Sequence, residues 1–157
     1  MNFPIIIYII GYVLKIEGLL MLIPTMVGAI YGEGVYFWYL VCAVATFVLG
    51  FLLSFKKPKN QVFYAKEAFV SVPLCWLFMS IFGSLPFIFG GEIPRFVDAF
   101  FEMVSGFTTT GSSILSDVEA LSHASLFWRS FSHWIGGMGI LVFILTVLPI
   151  TGGATMH

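Results

Sequence analysis

The sequence predicts an all-α integral membrane fold: a two-helix hairpin followed by a longer helix–loop–helix unit. Three observations carry that expectation. Apolar residues make up 59% of the 157-residue chain and charged residues only 10%, where a soluble domain carries about 25% charged residues. Charges fall in clumps, leaving uncharged runs of 22 residues at 34–55, 24 at 68–91 and 28 at 130–157. Each run exceeds the roughly 20 residues that cross a hydrocarbon core about 30 Å thick. Finally, four lysines (Lys56, Lys57, Lys59 and Lys66) crowd the connection between two of these runs. A soluble enzyme, a disordered chain and a nucleic-acid binder are excluded, the last because seven basic against eight acidic residues leave no cationic footprint.

Taken in order, Phe3 to Tyr31 reads as one hydrophobic helix interrupted by Lys15 and Glu17. Four spans are expected, at 3–30, 35–55, 68–90 and 125–150. The N-terminus lacks the basic start of a cleavable signal, and its apolar segment is too long for one. Spans one and two are joined by a tight turn at Gly32-Glu33-Gly34. The polar connection Lys56-Lys57-Pro58-Lys59-Asn60-Gln61 divides the chain into an N-terminal hairpin, 1–57, and a second unit, 58–157. Its lysines place it in the cytoplasm, with both termini, because basic residues concentrate on that side. Glu33, Glu92, Asp98, Asp117 and Glu119 then face outward, where they raise the local concentration of cations. Lys15 and Glu17 are about 200° apart on a helix and do not pair with each other, so Lys15 needs a partner in another helix or a later start to the span. Cys42 and Cys75 sit deep in different spans and suggest neither a disulfide nor a metal site.

Function is sought in the connection between spans three and four, residues 91–124. A loop that long without structure of its own would be unusual. Within it, Val97 to Phe107 (VDAFFEMVSGF) reads as a helix, with Asp98 at the positive end of its dipole and Phe100, Phe101, Val104 and Phe107 on an apolar face. Eleven residues reach about 16 Å, half of a bilayer. The segment is too apolar for water and too short to cross, so it dips in and stops near the midplane. Thr108-Thr109-Thr110-Gly111-Ser112-Ser113 follows. Three β-branched residues disfavour further helix, and Gly111 admits backbone angles closed to other residues. Backbone at membrane depth is tolerated only inside protein or beside water, and its carbonyls can replace the hydration shell of a cation. The fold expected is therefore a two-helix hairpin followed by one helix–pore helix–filter–helix repeat.

Single residues divide between roles. Glu102, one turn inside the pore helix, either adds negative field or bonds to neighbouring filter amides, the structural role being the one expected. Gly136, Gly137 and Gly139 serve close helix packing rather than a gating hinge. Arg129 anchors at the outer headgroups or pairs with an outer carboxylate. His123 and His133 have no second ligand at metal spacing and read as solvated or packed. No nucleophile–base–acid set, glycine-rich phosphate loop or paired carboxylate points to catalysis.

Asp98–Ser113 (DAFFEMVSGFTTTGSS) and Trp128–Ile140 (WRSFSHWIGGMGI) resemble the first pore repeat of bacterial Trk-type potassium uptake proteins, the TrkH/TrkG group. Lys66–Phe69 (KEAF) and Gly83–Phe87 (GSLPF) resemble that family's third span. The resemblance implies K⁺ uptake across the bacterial inner membrane, with Thr108, Thr109, Thr110, Gly111 and Ser112 as filter residues and K⁺ held at Thr109, Thr110 and Gly111. It implies no cofactor. It also implies a homodimer on a TrkA-like cytoplasmic nucleotide-binding subunit. Family members are roughly three times longer and carry four such repeats, so this chain is expected to be a fragment supplying one wall of a filter. A homotetrameric channel subunit and a non-conducting membrane subunit are the alternatives.

Overall fold

The computed structural model describes residues 1–59 and 64–152, the side chains of 146–152 excepted. Part of the expected boundary, residues 60 and 61, and the last five residues of the expected repeat lie outside the described residues. Among the described residues six α-helices follow in order: α1 (Phe3–Leu20), α2 (Leu22–Ile30), α3 (Tyr36–Ser54), α4 (Ala65–Phe89), α5 (Phe96–Phe107) and α6 (His123–Gly152), with a 3-10 turn at Val118–Ala120. Among the described residues there is no strand. Phe3–Ile30, Tyr36–Ser54 and Ala65–Phe89 are long and apolar enough to cross a membrane. The 30-residue α6 contains the fourth expected span, at about 45 Å of helix.

The first span differs from the single helix expected. It is interrupted at Met21, between α1 and α2. The cause lies at Pro24, whose ring lacks an N–H for the Leu20 carbonyl and crowds that same oxygen. Lys15 and Glu17, the residues singled out beforehand, leave the helix unbroken. Lys15 finds its partner on its own helix, with Nζ 4.5 Å from the centroid of the Tyr12 ring, a cation–π arrangement.

Helices α1 and α3 pack through glycine. A methyl group on Gly11 would lie 2.8 Å from Ser54 N, and one on Gly18 2.8 Å from Phe47 N. Added to Gly50, it would meet both Gly11 O and Lys15 N at 2.6 Å. Close approach through small residues is how helices gain contact where lipid is as apolar as the side chains. The second unit is joined by Trp128, which is 0% exposed. Its Nε1 donates to Gly83 O at 3.0 Å, tying α6 to α4, and its ring meets Phe107 edge-on at 6.3 Å.

Polar side chains hold the start of α6 at one end of the bundle, two of them, Glu33 and Tyr39, reaching it from the N-terminal unit. Glu33, in the turn before α3, accepts from His123 N at 2.8 Å and Ala124 N at 3.2 Å. Glu92, after α4, accepts from Ser122 N at 2.7 Å and from Ser125 Oγ. Tyr39 of α3 donates to Ser125 Oγ at 2.8 Å. These carboxylates sit on the free N–H groups at the start of α6, where the helix dipole favours negative charge. His123 also donates from Nδ1 to Glu33 at 2.7 Å and stacks on Tyr31 at 3.9 Å. The Glu92–Ser122 bond closes a loop: residues 93–121 leave and return at the same end of the bundle.

Candidate functional site

That excursion holds α5 and residues 108–113. Helix α5 starts at Phe96, one residue before the expected boundary, and ends at Phe107 as expected. At 12 residues it reaches about 18 Å. It stops because the chain turns left-handed: φ is +56° at Thr109 and +77° at Gly111. Thr109 N donates to Gly106 O at 2.9 Å and Thr110 N to Ser105 O at 2.9 Å. This pair is the Schellman motif, in which a left-handed residue just past the helix lets two amides satisfy the last free carbonyls. Glycine usually takes the left-handed position, and a β-branched residue there is strained by about 1–3 kcal/mol.

The motif sorts the donors and acceptors of the segment. Its amides face α5: Thr108 N reaches Val104 O at 2.9 Å, and Gly111 N reaches Ser105 O at 3.5 Å. The carbonyls of Thr109, Thr110 and Gly111 accept no hydrogen bond among the described residues. The end of α5 therefore presents little free carbonyl, because the amides of 108–111 occupy Val104, Ser105 and Gly106. The unoccupied oxygens belong to the segment itself. Residues 108–113 are exposed on this chain, with their amide side packed and their carbonyl side open. The threonine hydroxyls bond locally: Thr108 Oγ1 donates to Val104 O at 2.6 Å, Thr110 Oγ1 donates to Thr108 Oγ1 at 2.8 Å, and Thr109 Oγ1 donates to Thr108 O at 2.7 Å.

Glu102 and Ser105, three apart and so on one face of α5, hold the returning limb. Ser105 Oγ donates to Ser112 O at 2.5 Å. Glu102 Oε1 accepts from Ser113 Oγ at 2.5 Å and Ile114 N at 2.7 Å. Its other oxygen takes Arg129 Nε at 2.9 Å. Glu102 is 1% exposed and the Arg129 side chain 17%, so this is a buried pair bridging α5 and α6. Sequence reading placed both residues but did not pair them, since 27 positions separate them. His133 donates from Nδ1 to Arg129 O at 2.9 Å, and no cluster suited to a metal occurs among the described residues.

The three glycines of α6 divide. A methyl group on Gly136 would overlap Phe107 O and lie 2.6 Å from Phe107 C, so the α6 backbone approaches the Phe107 backbone this closely only because residue 136 is glycine. At Gly137 it would meet Thr109 Cγ2 at 3.8 Å, an ordinary contact, and at Gly139 nothing within 4 Å. Gly106, facing α6 from the other side, is held close to Ser132. Sequence reading passed over Gly106; its signal was a glycine inside a helix.

At the bundle end, partial burial raises the Glu33 carboxyl, but the bonds from His123 and Ala124 outweigh it and hold the group below its ordinary value.

Comparison with known proteins places this geometry. Residues 38–156 match the family model described as TrkH, cation transport protein. The chain is 37% identical to the Trk system potassium uptake protein TrkH of Escherichia coli strain K12, covering 100% of the chain and 33% of that protein. It is 36% identical to an uncharacterized cation transporter of Methanocaldococcus jannaschii, over 94% of the chain and 31% of that protein. The crystal structure of the potassium transporter TrkH from Vibrio parahaemolyticus matches with a TM-score of 0.89 at 32% identity, over 100% of this chain and 34% of that one. The chain thus spans about a third of the length of the curated relatives it matches. An all-helical membrane fold, a family-model match over most of the chain and a structural match along the whole of this chain agree: this chain belongs to the TrkH family of cation transport proteins.

Proposed function

We propose that the chain forms one wall of a potassium pathway, with residues 108–113 as one quarter of a selectivity filter completed by further repeats of the same protein. One observation carries this reading. Thr109, Thr110 and Gly111 turn their N–H groups toward α5 and leave their carbonyls unbonded among the described residues. A row of backbone oxygens takes over the hydration shell of a dehydrated cation. Unpaired backbone at membrane depth is tolerated where it lines such a path. K⁺ is held at Thr109, Thr110 and Gly111, flanked by Thr108 and Ser112. Glu102 and Arg129 brace the returning limb, and Gly136 lets α6 close on Phe107. Relatives named as potassium uptake proteins, TrkH and TrkG of Escherichia coli, supply the ion's identity.

In this reading residues 1–57 are a supporting hairpin and 58–157 a pore repeat. The protein sits in the bacterial inner membrane with its N-terminus cytoplasmic, on the side of Lys56, Lys57, Lys59 and Lys66. It works as a homodimer on a TrkA-like nucleotide-binding subunit. The test is a chimera in which this chain replaces the matching third of Escherichia coli TrkH, expressed in a strain deficient in potassium uptake. Growth in low potassium is expected. Gly111→Asp, placing a charged side chain at φ +77°, abolishes growth at unchanged membrane levels. Parental growth of that variant would remove the segment from the ion path. K⁺ conduction by the chain alone, as a tetramer in liposomes, would favour a homotetrameric channel instead.

A further inference from the structure

The Glu17 side chain makes none of the hydrogen bonds that hold the 108–113 segment. It lies in the first membrane span and is 0% exposed. Neither carboxylate oxygen has a hydrogen-bond partner among the described residues. It borders a cleft of about 380 Å³ between α1, α4 and α6, lined by Val13, Ser71, Cys75, Gly139 and Phe143 among others. The lining is apolar apart from the Ser71 hydroxyl, which donates to Glu67 O, the Cys75 thiol and the Trp76 indole.

Each neighbouring element lacks a compensating charge at this place. On α1, the Lys15 ammonium is turned away over the Tyr12 ring. Helices α2 and α3 contain no Lys, Arg, Asp, Glu or His. On α4, Lys66 and Glu67 lie in the first turn, and Glu67 accepts from Asn2 N. On α5 and α6, Glu102 and Arg129 are joined to each other, and His133 is bonded to the Arg129 carbonyl. Ca²⁺ and Mg²⁺ take six or more oxygen ligands and Zn²⁺ about four N, S or O ligands, and one carboxylate in an apolar cleft does not supply them. An isolated ionised carboxylate in such surroundings is costly, and the group gains a proton instead.

We propose that this cleft is a proton-binding site, with Glu17 carrying the proton as a neutral carboxylic acid behind the end of α5. Position gives the proton leverage. A methyl group on Gly83 would lie 3.1 Å from Glu17 Oε1, 2.8 Å from Met103 Cε and 3.2 Å from Phe107 Cε2. The acid and the last two turns of α5 thus meet at a single glycine of α4, whose carbonyl also holds Trp128. Loss of the proton leaves a bare charge there, which draws water into the cleft and pushes α1 from α4 beside Met103 and Phe107 of α5. This inference rests on the burial of Glu17 and is independent of the potassium reading.

Infrared difference spectroscopy of the full chain in lipid nanodiscs, with and without ¹³C-glutamate, tests it. The expected result is a label-sensitive carboxylic acid C=O band at pH 7, where ordinary glutamates, titrating at about pH 4.3, are ionised, and its loss in Glu17→Gln. Glu17→Gln keeps the shape of the neutral acid and is expected to melt at the parental temperature. Absence of the band in the parent overturns the proposal whatever the variant does. So does a band that survives Glu17→Gln, which belongs to another glutamate. A Glu17→Gln chain that does not fold overturns it too, since the position would then require the ionised form.

Discussion

Replacing Glu102 by Gln keeps the side-chain shape and removes its charge. One oxygen still accepts from Ser113 Oγ and Ile114 N, at 2.5 and 2.7 Å in the parent. The amide NH₂ then faces Arg129 Nε, which now lies 2.9 Å from a carboxylate oxygen. A hydrogen bond to a charged group contributes about 1.5–3 kcal/mol, and breaking a fully buried ion pair costs about 3–5 kcal/mol. Arg129 keeps 17% of its side chain exposed and is partly rehydrated, so a loss of about 2–3 kcal/mol is expected. Glu102→Ala also strips both bonds to the returning limb, at about 1 kcal/mol each, and reaches about 4–5 kcal/mol. The assay is equilibrium unfolding in mixed micelles, run as a double-mutant cycle with Arg129→Met. A coupling of about 2 kcal/mol is expected for residues in direct contact. A Glu102→Gln loss within about 0.5 kcal/mol of zero, the range of an ordinary surface change, would refute the claim that this pair braces the segment.

Gly136→Ala overlaps Phe107 O and abolishes the folded state as judged by size-exclusion chromatography, whereas Gly139→Ala, with nothing within 4 Å, leaves it intact. Thr109→Gly relieves the left-handed strain at φ +56° and raises stability by about 1 kcal/mol in the same micelle assay. A loss would mean that the Thr109 hydroxyl bond outweighs the strain. Glu33 yields a pH effect whose sign follows from its lowered carboxyl. The group binds protons more readily when unfolded, so its stabilisation is fully present above the ordinary carboxylate range and is lost as pH falls below it. Melting temperature against pH between 7 and 3 is expected to fall less steeply in Glu33→Gln than in the parent.

Much of the frame was legible because lipid imposes it. Span lengths follow from bilayer thickness, and the extra loop between α4 and α6 had to contain structure. The end of α5 was visible in three threonines and a glycine. Interactions between distant positions were not. The Glu102–Arg129 pair, the grip of Glu33 and Glu92 on α6, and the Trp128–Gly83 bond each join residues at least 27 positions apart, and no local pattern announces them. The break at Met21 was readable in principle, since a proline acts four residues upstream. Lys15 and Glu17 are conspicuous as charges in a span, but helical hydrogen bonding is indifferent to them. Gly11 and Gly18, seven apart and so on one face, carried a packing signal that a count of apolar residues conceals.

The hold of Glu33 on His123 and Ala124 has a consequence for assembly. The anchor emerges from the ribosome some ninety residues before the helix it grips. The opening hairpin is therefore a mould set in place early, and the last helix of this chain is cast against it. Cutting the hairpin away would leave that helix with bare amides at its mouth, so the first fifty-odd residues are tooling for the rest.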